Sequence, residues 1–347
     1  MPRAIRFGIK LPHSGPLASR ATIRRVAVEA ERLNFDSVWV HDHISYGRNW
    51  IGHRSSGLDE LITSESDPDL FEAITTLAYV AGFTQTIRIG TAILVLPLRN
   101  PLVLGRELTT LQALSAGRLV LGVAVGDYPD EFEALRVPYR ERGKITDEYL
   151  EVLQKIFSTG VLRHDGKYIT CDAAFFYPRV EPPPVFIGGG IFADPVEDRL
   201  LLPVLKRVAK LAHGWMPDWG SPDLLRQGVR EIKRLRVGYG RQDDGFELSW
   251  TTRFYLADTD EEARSMTARS IRGTDAVANI IAKRGMRTPQ KAYENSLIGS
   301  PQSIAAKVAP YADAGVELVV MNCMAGDERS FVGMMRRFAK EVAPHFT

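Results

Sequence analysis

Cysteine is scarce: the chain of 347 residues has two, Cys171 and Cys323, far apart and without CxxC spacing. That leaves no disulfide framework and no zinc-site pattern. An excess of charge of one sign is missing as well. With 44 Lys and Arg against 42 Asp and Glu the net charge is +2, so no general attraction to nucleic acid or to a membrane surface is expected. No apolar run is long enough to cross a bilayer, and MPRAIRFGIKLP has no signal-peptide core, so a cytoplasmic location is the default expectation. A dinucleotide fingerprint is also lacking. The turn after the first strand, Leu11–Gly15, has no Gly-x-Gly-x-x-Gly, which argues against an open doubly wound sheet.

What is present is an ordinary globular composition, 45% hydrophobic and 25% charged, arranged as short apolar runs separated by helical patterns. Strands are predicted at Ile5–Leu11, Ser37–Val40, Ile87–Leu94, Leu119–Val125, Val185–Ile187, His213–Trp215, Leu248–Ala257 and Glu317–Asn322. The central ones lack polar alternation, as strands covered on both faces do. Helical spacing fills every interval; in Thr22–Leu33, Ile23, Val26, Ala27, Ala30 and Leu33 share one face. Eight such alternations predict a closed α/β barrel, (β/α)8 or TIM type, and about 250 residues or more is a usual size for one such domain. The expectation is one domain over 1–347, with insertions near 45–69, 158–180 and 258–297.

Chemistry in such a barrel gathers at the C-terminal ends of the strands. Strand two ends in His41-Asp42-His43, where an imidazole with its ring held by a nearby carboxylate suits proton handling. Successive residues of an extended chain point opposite ways, so the two histidines do not share a direction with Asp42. Strand three ends in Thr91-Ala92-Ile93, strand four in Gly126-Asp127, and strand five in Gly188-Gly189-Gly190, a run that lets backbone N–H groups approach an anion. His13, Tyr46, Trp50, His53 and Trp215 are candidates to line a substrate pocket. Arg253 on strand seven is a candidate to face the barrel mouth and meet an anionic group.

RIGTAILVLPLRNP and ALSAGRLVLGVAVG in the central unit resemble the bacterial luciferase-like superfamily, specifically its branch using the deazaflavin coenzyme F420. FDSVWVHDHI, EFEALRVPYRERGKITDEYLEVL, PPPVFIGGG and AHGW extend the resemblance over much of the chain; roughly Asp258–Asn295 lacks a counterpart. The resemblance implies a hydride-transfer oxidoreductase acting on a small organic substrate. Asp42-His43 matches a pair contacting cofactor ring and substrate, with His43 managing the proton beside Asp42. The resemblance also places a bulge with a non-proline cis peptide at Ala92-Ile93, next to Thr91, backing the ring. Asp127, after Gly126, matches an acid over the ring that donates a proton in some members; that role needs a pKa raised by burial. Gly188, Gly189 and Gly190 match the cofactor-phosphate site, although Asp194, Glu197 and Asp198 are unfavourable neighbours for a phosphate. A homodimer is usual in the family.

Two alternatives stay open. The same fold takes FMN and dioxygen in two-component monooxygenases, which a separate reductase supplies with reduced cofactor; Asp42-His43 and the LVLPLRNP form favour the deazaflavin. His-x-His is also the metal signature of amidohydrolase barrels, but strand eight ends in Asn322-Cys323 and the ligand count is short, so no metal is expected. A barrel that only binds ligand is disfavoured by the polar residues kept at the strand ends.

Overall fold

The computed structural model describes residues 4–44, 69–192, 198–242, 245–271 and 294–346. Eight parallel strands close on themselves: β1 (Arg6–Lys10), β2 (Ser37–Val40), β3 (Arg88–Thr91), β4 (Leu119–Ala124), β5 (Val185–Gly188), β6 (Gly214–Met216), β7 (Glu247–Leu256) and β8 (Val316–Cys323). Each pairs with the next in sequence, and β8 returns to β1, so the ring has no open edge. This is the barrel expected from the alternation of apolar runs.

The helices alternate with the strands: α1 (Arg20–Arg32), α2 (Ala73–Ala81), α3 (Pro101–Leu114), the short α4 (Pro129–Ala134), α5 (Arg142–Thr159), α6 (Leu202–Leu211), α7 (Pro222–Gly238), α8 (Asp260–Ile271), α9 (Pro301–Asp313) and α10 (Glu328–Glu341). Their starts follow local chemistry. Ser19 caps α1 by accepting from the Thr22 N–H at 3.0 Å, and Asn100 caps α3 with Pro101 in the first helical position. The long α5 stops at Gly160, whose φ of 66° is left-handed and suits glycine.

Strand alternation sorts the core into two layers. Phe7, Ile9, Val38, Val40, Leu121, Val123, Trp250, Phe254, Val319 and Met321 join the large cluster packed against the helices. Trp39, Ala92, Val120, Phe186, Met216, Leu318 and Val320 form a separate cluster filling the barrel's interior. Trp39 lies across that interior, and its indole N–H donates to Ser37 Oγ at 2.8 Å. It fits because β1 and β3 carry glycine beside it: a Cβ on Gly8 or Gly90 would stand 2.5 Å from the indole.

Some boundaries differ from the sequence reading. The strand predicted at Ile87–Leu94 breaks after Thr91, and its remainder, Leu94–Val95, pairs separately with β4. Helix α6 begins only at Leu202, after a short antiparallel pairing of Ile191–Phe192 with Arg199–Leu200. A ninth parallel strand, Leu297–Gly299, lies outside the ring against the end of β7 and was not foreseen. The excursion expected near 158–180 is an antiparallel hairpin, Val161–Asp165 with Thr170–Phe175.

Candidate active site

The break in β3 shapes the mouth. Gly90 pairs with Val120 and Leu94 with Val123, so four steps along β3 span three along β4. The extra residue is a bulge, and bulges re-aim side chains where strand pairing is interrupted. The Ala92–Ile93 peptide bond within it is cis, where the resemblance placed it. Gly122 on β4 makes room: a Cβ there would stand 2.0 Å from the Thr91 carbonyl oxygen. Thr91 Oγ1 donates to the Gly122 carbonyl at 2.7 Å, tying the bulge to β4. Ile93 lies against β5, 2.8 Å from where a Cβ of Gly188 would be. This wall of the mouth is therefore low and apolar, built from Ala92, Ile93, Ala124 and Gly188.

Alternation at the end of β2 sends Asp42 outward and the two histidines toward the mouth. Asp42 is fully buried. Arg99 grips it from Nε to Oδ2 at 3.0 Å and from Nη2 to Oδ1 at 2.6 Å, and the Val95 N–H donates to Oδ2 at 3.0 Å. Arg99 also meets Glu72, the N-cap of α2, at 2.7 Å. Paired carboxylates raise the Arg99 pKa further despite its burial. The reading of Asp42 as His43's partner thus gives way. A clamp of this kind locks the β3 bulge and the turn before α3 onto the end of β2.

The carboxylate that holds His43 is Glu131, on α4. Its Oε2 lies 3.2 Å from His43 Nδ1, and its Oε1 accepts from the Ile44 N–H at 2.6 Å. Glu131 is almost fully buried, and the Tyr128 ring packs edge-on against His43 at 5.0 Å. With Nδ1 at a carboxylate, the ring's remaining nitrogen is Nε2. His41 Nε2 meets Ser14 Oγ at 3.2 Å. Burial first, with the Lys10 ammonium nearby, pushes the His41 imidazole well below its ordinary value.

The glycine run after β5 is backed from within the protein. Trp215 Nε1 donates to the Gly189 carbonyl at 2.7 Å, and the Leu201 N–H donates to that of Gly190 at 2.8 Å. Both glycines have positive φ, 76° and 93°. Among the described residues a Cβ on Gly189 would meet nothing within 4 Å, so its backbone is bare there. With the carbonyls turned to protein donors, an approaching anion is spared their repulsion. Gly126, also at positive φ, is packed against Val95 and Phe132, and its carbonyl accepts from Arg142 Nε at 3.0 Å.

Other sequence candidates fall elsewhere. Trp215 is fully buried and points outward into the helix layer, where Gly228 of α7 accommodates its ring; it supports the glycine run and does not line a pocket. His13 is likewise fully buried, its ring nitrogens 3.1 Å from the Leu11 carbonyl and 2.9 Å from that of His41. It joins β1 to β2 beneath the mouth. Asp127 is exposed, so the burial that its proton-donor role requires is not there. Arg253 is half-buried on β7, on the strand side opposite Phe254. Tyr46, Trp50 and His53 lie outside the described residues. Glu131, Arg99 and Lys10 were missed. An acid in the first turn of a Pro-started helix and a charge in the Pro-broken loop were the available signals for the first two.

A parallel barrel whose strand ends carry a bulge, a histidine–carboxylate pair and a glycine run is the frame of a cofactor-binding α/β-barrel enzyme. The sequence profile of the luciferase-like monooxygenase family matches residues 5–318, and the chain belongs to that family of oxidoreductases. An F420-dependent glucose-6-phosphate dehydrogenase of Kineococcus radiotolerans is 25% identical over 338 residues, 92% of this chain and 90% of its own. Among solved structures, the coenzyme F420-dependent tetrahydromethanopterin reductase of Methanopyrus kandleri superposes with a TM-score of 0.72 at 19% identity, covering 99% of this chain and 100% of that one. The EDTA monooxygenase of Chelativorans sp. BNC1 does so with a TM-score of 0.76 at 16% identity, covering 99% and 94%. Among the described residues no group of three or more His, Cys, Asp or Glu side chains converges as a metal site, and no helix is long and apolar enough to cross a membrane.

Proposed function

We propose that the protein is a deazaflavin-dependent oxidoreductase that moves hydride between coenzyme F420 and a small organic substrate at the barrel mouth. The observation that carries this reading is the low wall of Ala92, Ile93, Ala124 and Gly188 at the same strand ends as the His43–Glu131 pair. A flat ring fits against that wall because no large side chain rises from it, and the open backbone at Gly189 suits the cofactor's phosphate. When bound, the cofactor supplies the two-electron hydride chemistry. Glu131 accepts from His43 Nδ1 and fixes the ring's orientation. His43 Nε2 takes or returns the proton on the substrate's heteroatom. The Asp42–Arg99 clamp keeps bulge and histidine in one frame, which is the positioning that such catalysis depends on.

The second reading is an FMN-dependent monooxygenase, favoured by the structural likeness to EDTA monooxygenase. Titrating the protein with F420 and with FMN while following fluorescence separates the two. The proposal expects saturation by F420; saturation by FMN alone reverses the choice. His43→Ala is expected to cut turnover by ~100-fold or more, the usual worth of a general acid–base group, with cofactor affinity little changed. Unchanged turnover removes His43 from the mechanism.

A further inference from the structure

Helix α4 carries Glu131 yet is too short to hold itself. Its six residues bury only Glu131 and Phe132, and a helix of that length owes its place to tertiary contacts. Phe132 supplies one of them. Fully buried, it forms a small core with Val95 and Leu98, against which Ile93, Val137 and Tyr139 pack. That core is distinct from both layers of the barrel. It joins the β3 bulge, through Ile93 and Val95, to the helix whose carboxylate meets His43.

The other hold is on the turn that leads into α4. Gly126 has a φ of 75°, and a Cβ there would stand 2.5 Å from Val95 Cγ1, so turn and bulge are directly packed. The Gly126 carbonyl accepts from Arg142 Nε at 3.0 Å, and the next one, of Asp127, accepts from the Tyr139 hydroxyl at 3.3 Å. Arg142 opens α5 and is tied to Tyr139 in turn. Its Nη1 donates to the Tyr139 carbonyl at 3.0 Å, and the guanidinium lies over the Tyr139 ring, 4.0 Å from the ring centre. The same ring meets Phe132 edge-on at 5.2 Å. One Arg–Tyr unit thus fixes two consecutive carbonyls at the end of β4. The residues that follow them, Tyr128 and Glu131, are both in contact with His43.

We propose that Arg142, backed by Tyr139, is a positioning residue for the His43–Glu131 pair: it pins the turn after β4 so that α4 presents Glu131 at His43 Nδ1. The inference rests on His43 as the proton-handling group and adds what holds its carboxylate in place. Arginine suits the task because its planar fork spans two carbonyls on different segments, Gly126 on the turn and Tyr139 ahead of α5. A lysine has a single nitrogen and cannot reproduce that geometry. Misplacing a reacting group by about 1 Å costs about 100-fold in rate, so loosening the turn acts on turnover more than on ligand binding.

The test follows the His43 Nδ1 proton by heteronuclear NMR of histidine-labelled protein, with no substrate or cofactor needed. Its signal is the one missing from His43→Gln. Held by Glu131, it should exchange slowly with water; Arg142→Met should speed that exchange about tenfold or more, and Arg142→Lys should recover part of the protection. Arg207→Met controls for general loosening. Arg207 of α6 grips the same end of α5, through the Gly143 carbonyl at 3.0 Å and Asp147, without touching the turn. It should lower the urea midpoint and leave the His43 proton as it was. Protection that survives in Arg142→Met, or that falls equally in Arg207→Met, overturns the proposal. If the wild-type proton exchanges too fast to be seen, a crystal structure of Arg142→Met decides: Glu131 displaced from Nδ1 supports the role, and an unchanged 3.2 Å contact refutes it. An Arg142 effect on the His43 proton in a protein that binds no F420 leaves the positioning role standing while the redox reading fails.

Discussion

Replacing Arg99 by Met tests whether the clamp on Asp42 holds the mouth together. The wild-type carboxylate is fully buried and receives three hydrogen bonds, two of them from Arg99 at 2.6 and 3.0 Å and one from the Val95 N–H at 3.0 Å. Methionine removes the first two and leaves a buried charge with a single backbone donor. Taking one partner from a buried pair costs about 3–5 kcal/mol, and the lost contact with the half-exposed Glu72 adds about 0–1 kcal/mol. Against a total stability of about 5–15 kcal/mol, that is a large fraction.

Asp42→Asn in the Arg99→Met background removes the stranded charge and should recover about 2 kcal/mol or more as coupling energy. Urea unfolding of the four proteins measures this. A loss under about 1 kcal/mol in Arg99→Met, or coupling indistinguishable from zero, refutes the reasoning.

Three further outcomes are expected. Gly122→Ala drives a Cβ into the Thr91 carbonyl, 2.0 Å away, so the bulge must shift; the cost is about 1–3 kcal/mol or more, with cofactor affinity lost in the same titration. Trp215→Phe leaves the Gly189 carbonyl without its donor; it should cost about 1–3 kcal/mol in urea unfolding, and weaken cofactor binding through the glycine run, not through the substrate. Burial holds the His13 pKa below its ordinary 6.5, so the folded state resists its protonation; stability is full above that value and declines as pH falls below it. His13→Gln should flatten the decline below pH 6.5, and an unchanged slope counts against the assignment.

The barrel was legible because its signal is repetitive: eight apolar runs with helical spacing between them survive errors at any one boundary. The bulge at Ala92–Ile93 came from family resemblance; Thr-Ala-Ile on its own reads as plain core. The partner of His43 was misread because adjacency in sequence favoured Asp42, whereas strand alternation turns Asp42 away and a helix 88 residues further along delivers Glu131. Trp215 was misplaced for a related reason. A strand of three residues gives no clue from periodicity as to which side faces inward, and one step decides between mouth and helix layer. Lys10 drew no attention because its level with Asn322 lies in the register between β1 and β8, which no single segment contains.

The central claim is that the rim between the β3 bulge and the glycines after β5 seats the cofactor's ring and phosphate. A crystal structure of the protein soaked with F420 addresses it directly. The account predicts ring density in contact with Ala92 and Ile93, the phosphate at Gly188–Gly190, and His43 Nε2 directed at the ring's exposed face. Density for the cofactor anywhere else on the barrel, with this rim left to solvent, contradicts it.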